Sequence, residues 1–82
     1  MISKVELIAV IGMGYVGLPL AIELSKRNNV IGFDIDKLRV ESLKNGVDLT
    51  EEVSKQQIQN SKNLKFSSNL SELANCEVYI VT

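Results

Sequence analysis

Eighty-two residues set the scale: at most one small domain, with limited buried surface. A hydrophobic content of 45% against 23% charged residues describes a chain that folds rather than a disordered one. The net charge of −1 gives no electrostatic reason to expect nucleic acid or an anionic membrane as partner, and one cysteine without any histidine leaves almost no material for a metal site.

No apolar run approaches the roughly 20 residues that cross a bilayer. The first residues lack a basic leader with an apolar core and a small-residue cleavage site. The lone Cys76 excludes an internal disulfide, which agrees with a cytoplasmic setting.

The opening stretch, residues 5–17, reads Val-Glu-Leu-Ile-Ala-Val-Ile-Gly-Met-Gly-Tyr-Val-Gly. An apolar strand runs straight into glycines at G-x-G-x-x-G spacing, and a helical pattern follows at once. Gly12 permits the turn out of the strand, Gly14 lets the backbone approach a pyrophosphate, and Gly17 lets the helix pack close. Ligand phosphates would then meet free N–H groups at the positive end of the helix dipole. The structural alternative is a strand-to-helix turn that holds no ligand.

Residues 15–27 predict the first helix. Val16, Leu20 and Leu24 fall at i, i+4, i+8 with Ala21 beside them, which marks them as the inward face. Pro19 is tolerated near a helix start, where its missing N–H has no partner to lose. Lys26 and Arg27 are expected in the last turn, where cations suit the dipole, and Asn28-Asn29 makes the turn into the second strand. That strand, residues 30–33, ends in Asp34, about 20 residues past the first glycine, where a carboxylate can accept both ribose hydroxyls of an adenosine. A helix cap or a turn carboxylate is the plainer role for Asp34.

Asp36 can cap a second helix running to about Lys44, with Leu43 as core anchor and Val40 and Leu38 near it. Asn45-Gly46 is its stop signal, with Val47 placed to close it. Ser54-Lys55-Gln56-Gln57 fits a capping box, flanked by Val53 and Ile58 as a hydrophobic staple, and predicts a short helix over 55–61. Glu51 and Glu52 read as a solvated loop. Residues 64–68 alternate like an edge strand. Asn69 caps a very short helix with Glu72 three residues on, and residues 77–82 form a last strand.

The whole is α/β: a Rossmann-like, doubly wound parallel sheet in the order 3-2-1-4. The glycine turn stands at the switch point between strands 1 and 4. Residues 1–82 read as a truncated domain, because an apolar strand at the end of a chain usually has a further neighbour.

These residues resemble a known family. The run from Ile8 through Gly12, Gly14, Tyr15, Val16 and Gly17 to Ala21, residues 30–36 (Val-Ile-Gly-Phe-Asp-Ile-Asp) and the closing Val-Tyr-Ile-Val-Thr look like the NAD-binding region of the UDP-glucose/GDP-mannose dehydrogenases. Gly-Leu-Pro-Leu-Ala at 17–21 and Gly-Val-Asp-Leu-Thr-Glu-Glu-Val at 46–53 resemble the UDP-N-acetylhexosamine 6-dehydrogenases more than the UDP-glucose enzymes.

The resemblance implies an oxidoreductase that turns the C6 alcohol of a UDP-sugar into a uronate for surface polysaccharide, using two NAD per substrate and a cysteine nucleophile. It implies a homo-oligomer in the cytoplasm, without a nucleic-acid or membrane partner. Gly12, Gly14 and Gly17 would hold the pyrophosphate, Tyr15 and Val16 would offer backbone N–H groups, and Asp34 would bind the adenine ribose. Arg39 stands where a basic side chain reaches the adenosine end, though a solvated helix arginine explains it equally. Thr82 begins a loop near the cofactor.

The family's catalytic cysteine and sugar pocket lie beyond this stretch, so no catalytic residue is assigned, and Cys76 reads as a buried, inert thiol. Two other readings compete with an enzyme part: a stand-alone dinucleotide-binding module, and a fragment that binds nothing.

Overall fold

A computed structural model of the chain describes residues 7–82. Val5 and Glu6, read as the start of the first strand, lie outside the described residues. The elements follow as β1 (Leu7–Ile11), α1 (Gly17–Ser25), β2 (Asn29–Phe33), α2 (Lys37–Lys44), α3 (Lys55–Asn60), β3 (Leu64–Ser67), a 3₁₀ turn (Leu70–Leu73) and β4 (Val78–Val81). The strands form one sheet in the order β3-β2-β1-β4, every pairing parallel, as the sequence pattern predicts.

Alternation along the strands splits the core into two faces. Ile8, Val10, Val30 and Leu64 meet Leu18, Ala21 and Ile22 of α1, Leu43 of α2 and Ile58 of α3. On the other face a thinner cluster joins Ala9 and Phe33 to Leu73 and Cys76, so among the described residues the segment around the 3₁₀ turn covers it. Cys76 is buried, and desolvation pushes its thiol up, which fits an inert packing residue.

The inward face of α1 departs from the sequence reading. Leu18, Ala21, Ile22 and Ser25 are buried, Leu20 and Leu24 only flank the core, and Val16 is exposed. The cause is the tight seat of Gly17, whose α-carbon lies against the carbonyl of Gly12. That contact sets the rotation of the helix, so the positions four and eight residues on, Ala21 and Ser25, also face the sheet. The helix ends at Ser25, so Lys26 and Arg27 fall beyond its last turn, and Lys26 pairs with Glu23 on the surface instead.

The other helices start as their caps dictate. The Asp36 carboxylate accepts from the N–H groups of Leu38 and Arg39, and Ser54 and Gln57 form both halves of a capping box. Leu43 and Val40 are buried, whereas Leu38 is exposed, because it stands in the first turn on the side away from the sheet. After Asn45, Gly46 turns left-handed at φ 79°. The Gly46 and Val47 N–H groups then bond the carbonyls of Leu43 and Ser42, a Schellman closure that leaves Val47 partly exposed, at 43%. Asn69 caps a single 3₁₀ turn rather than an α-helix.

Candidate functional site

Register brings the site together. Ile11 aligns with Phe33 on one side and with Val81 on the other. The residues that follow these aligned ends, Gly12, Asp34 and Thr82, therefore emerge side by side at the carboxyl edge of the sheet. This is where open parallel sheets hold ligands.

The turn itself is built by close backbone approach. Gly12 has φ 102°, a conformation natural to glycine, and its N–H donates to the Phe33 carbonyl at 2.7 Å. A Cβ on Gly17 would collide with the Gly12 carbonyl oxygen and lie 2.7 Å from the Thr82 hydroxyl. That hydroxyl donates to the Gly12 carbonyl at 2.9 Å and lies 3.1 Å from the Ile11 carbonyl, so Thr82 closes the turn from the β4 side. Gly14 is the opposite case. Nothing lies within 4 Å of the place a Cβ would take there, and Gly14 is exposed to solvent.

Above that space the helix start is bare. Asp36, Ser54 and Asn69 cap the later helical segments, yet Val16 at the N-cap of α1 offers no side-chain acceptor. Among the described residues the backbone N–H groups of Gly14, Tyr15 and Val16 have no hydrogen-bond acceptor. The side chains of Tyr15 and Val16 are exposed beside them. Orphan donors at the positive end of a helix dipole are what an anion requires.

Asp34 stands at the rim of the same turn. Its Oδ2 accepts from the Met13 N–H at 2.9 Å and its Oδ1 from the Asp36 N–H at 2.9 Å. The turn role considered from sequence is thus real. An ionised carboxylate has about four acceptor sites, however, and one remains on each oxygen for a hydroxyl donor.

Arg39 is neither solvated nor extended toward open space. Only 10% of its side chain is exposed; Nε donates to the Met13 carbonyl and Nη1 to Asp48 Oδ1, both at 2.8 Å, while Nη2 is buried without an acceptor among the described residues. Met13, whose side chain is fully buried against Gly32, is therefore gripped at both peptide groups, by Asp34 and by Arg39.

Asp48 was not singled out as a site residue by the sequence. Besides Arg39, its Oδ1 accepts from the Thr50 N–H and hydroxyl, and its Oδ2 from the N–H groups of Glu52 and Val53. Burial alone would push this carboxyl up. Hydrogen bonds from Thr50, Arg39 and the Val53 and Thr50 backbone reverse that and hold it well below the usual carboxylate range. The signal available in the sequence was Asp-x-Thr, a side-chain turn pattern, in a loop read as solvated. The Glu51 and Glu52 side chains are indeed exposed.

A parallel sheet in this order, with a glycine turn at the switch point and a carboxylate ending the next strand, defines a Rossmann-type nucleotide-binding unit. The chain belongs to the UDP-glucose/GDP-mannose dehydrogenase family: the model of that family's NAD-binding domain matches residues 6–82. It is 47% identical over 75 residues to a UDP-N-acetyl-D-glucosamine 6-dehydrogenase of Salmonella typhi, covering 92% of this chain and 18% of that protein.

A Pseudomonas aeruginosa protein of the same name is similar to the same degree, with the same coverage of both chains. Among solved structures, a UDP-D-ManNAc dehydrogenase from Pyrococcus horikoshii superposes with a TM-score of 0.86 at 28% identity, over 93% of this chain and 19% of the other. The chain thus spans about a fifth of the length of the relatives it matches.

Proposed function

We propose that residues 1–82 are the adenosine-side portion of the NAD site in a nucleotide-sugar 6-dehydrogenase. The observation that carries the reading is the uncapped start of α1 over the open space at Gly14, with Asp34 on its rim. The N–H groups of Gly14, Tyr15 and Val16 would hold the pyrophosphate, with Gly12 and Gly17 shaping the turn. Asp34 would accept both hydroxyls of the adenine ribose on the acceptor sites its own turn leaves over. Thr82 stabilises the floor of the site through the Gly12 carbonyl. Arg39 serves from beneath, by fixing the Met13 carbonyl at the adenosine end.

Bound NAD supplies the hydride acceptor. In the longer protein the substrate would be a UDP-N-acetylhexosamine, oxidised at C6 to a uronate for surface polysaccharide, in a cytoplasmic homo-oligomer. The names of the Salmonella and Pseudomonas relatives support the sugar class.

NMR titration of the chain with NAD tests the site. Shifts should centre on Gly14, Tyr15, Val16 and Asp34, with weak affinity, because the described residues hold no nicotinamide half. The chain alone should turn over no UDP-sugar, and a longer protein carrying it should. Shifts centred elsewhere, or turnover by the chain alone, would refute the assignment.

A further inference from the structure

Arg39 poses a question that the reading of Asp34 as ribose carboxylate leaves open. A guanidinium next to a ribose carboxylate is the group that accepts a 2′-phosphate in NADP-using sites. Here it shares a partner with Asp34: the Asp34 carboxylate holds the Met13 N–H and the guanidinium holds the Met13 carbonyl. Its fork is nevertheless occupied: Nε holds the Met13 carbonyl, Nη1 holds Asp48, and Nη2 is sealed from solvent.

Asp48 is equipped to keep it there. Its side chain has no exposed surface, and both of its oxygens are fixed by donors from Thr50, Glu52 and Val53 whose loop cannot shift without breaking several bonds together. The acceptor for Arg39 is thus preorganised and negatively charged, and the arginine's charge is neutralised inside the fold.

We propose that Asp48 is a positioning residue that sets cofactor choice: it holds the Arg39 guanidinium turned inward, so that only the Asp34 carboxylate faces the ribose 2′ position and a 2′-phosphate finds no cation. This rests on the nucleotide reading of the site and adds to it a residue that does not touch the nucleotide. With Asp48 in place, a 2′-phosphate meets the Asp34 charge unrelieved and is repelled, whereas a 2′-hydroxyl is accepted.

The test is NMR titration of the chain with NAD and with NADP, for the wild type, Asp48→Asn, Arg39→Met and the double variant. In the wild type, the Arg39 Nε–H should give a distinct signal that exchanges slowly with water before any nucleotide is added. Asp48→Asn keeps the shape but removes the charge. It should quicken that exchange and move the ratio of NADP to NAD affinity toward NADP by about tenfold, the scale of one charge-assisted hydrogen bond.

The shift should vanish when Arg39 is also replaced, which a merely structural role for Asp48 does not require. Arg39→Met alone should leave the ratio within about twofold of wild type, because the guanidinium is already withheld. If Asp48→Asn does not fold, that single variant and the wild-type exchange rate decide: selective loss of NADP affinity, or a fast-exchanging Nε–H, overturns the proposal. So does an unmoved ratio in a folded Asp48→Asn, or a shift that persists without Arg39. A chain that binds NAD with an unmoved ratio overturns this inference alone; one that binds neither nucleotide overturns the reading of the site as well.

Discussion

Gly14 and Gly17, on the same turn, are expected to fail in opposite ways when each becomes alanine. At Gly17 the new methyl group meets the Gly12 carbonyl oxygen and carbon and the Thr82 hydroxyl. Overpacking costs about 1–3 kcal/mol where side chains can give way. Here the obstacle is the backbone of a turn already pinned by the Gly12 bond to Phe33, so the upper end of that range applies.

Each kcal/mol moves the melting point of a domain this size by about 4–8 °C, so Gly17→Ala should lower it by about 12–24 °C. A chain of this length has only about 4–12 kcal/mol to lose. At Gly14 the methyl group meets nothing, so stability should hold within about 1 kcal/mol and can rise slightly through the unfolded state. The methyl would instead fill the space assigned to the pyrophosphate, and NAD affinity should fall at least about tenfold, one lost close contact in a site of this kind. Thermal melts by circular dichroism and NAD titrations separate the two. A Gly14→Ala chain that binds NAD like the wild type, or a Gly17→Ala chain that melts like it, would refute the reasoning.

Asp48 predicts an acid limb of stability. Its folded carboxyl titrates below the unfolded one, so its contribution is present above the unfolded value near pH 4 and is lost as pH falls below it. The Asp48 contribution to the wild-type urea midpoint should therefore hold from pH 6 to about pH 4 and fall away below that. Asp48→Asn should be less stable at neutral pH and lose less on acidification; parallel curves would refute this. The outer edge of β4 should recruit a second chain, because no strand pairs with it among the described residues and Tyr79 and Val81 are exposed on it. Light scattering across a concentration series should show association that Val81→Lys weakens. A monomer at every concentration, or an oligomer indifferent to that change, would count against the contact.

Elements that advertise themselves by a local chemical rule were legible in the sequence. The glycine turn, the Asp36 cap, the Ser54 capping box and the Asn45-Gly46 stop each depend on residues within a few positions of one another, and all stand where the sequence puts them. The strand order followed from the alternation of strands and helices together with one switch point. What periodicity misjudged was rotation. Val16, Leu20 and Leu24 form an apolar row as good as Leu18, Ala21 and Ile22, and hydrophobicity alone cannot choose between two rows on one short helix. The choice was made by Gly17, a residue with no side chain, through its contact with Gly12. On β4, Ile80 packs partly against the core while Val81 is exposed, which makes Val81 the cleaner probe of the edge.

The clamp on Met13 was illegible for a different reason. Its members, Asp34, Arg39 and Asp48, are spread over two loops and a helix, and each has an adequate local explanation as turn carboxylate, surface cation or loop residue. Only the fold reveals that they share one acceptor–donor chain, from Asp34 through the Met13 peptide groups to Arg39 and Asp48. The consequence is physical rather than descriptive. A turn held only by glycine would be mobile, since glycine restricts the backbone least. With its Met13 N–H and carbonyl both fixed, and the Met13 side chain fully buried, the turn is shaped before any ligand arrives. The ordering cost that binding would otherwise carry is thereby met within the fold, which is how a bare helix start can be kept ready for an anion.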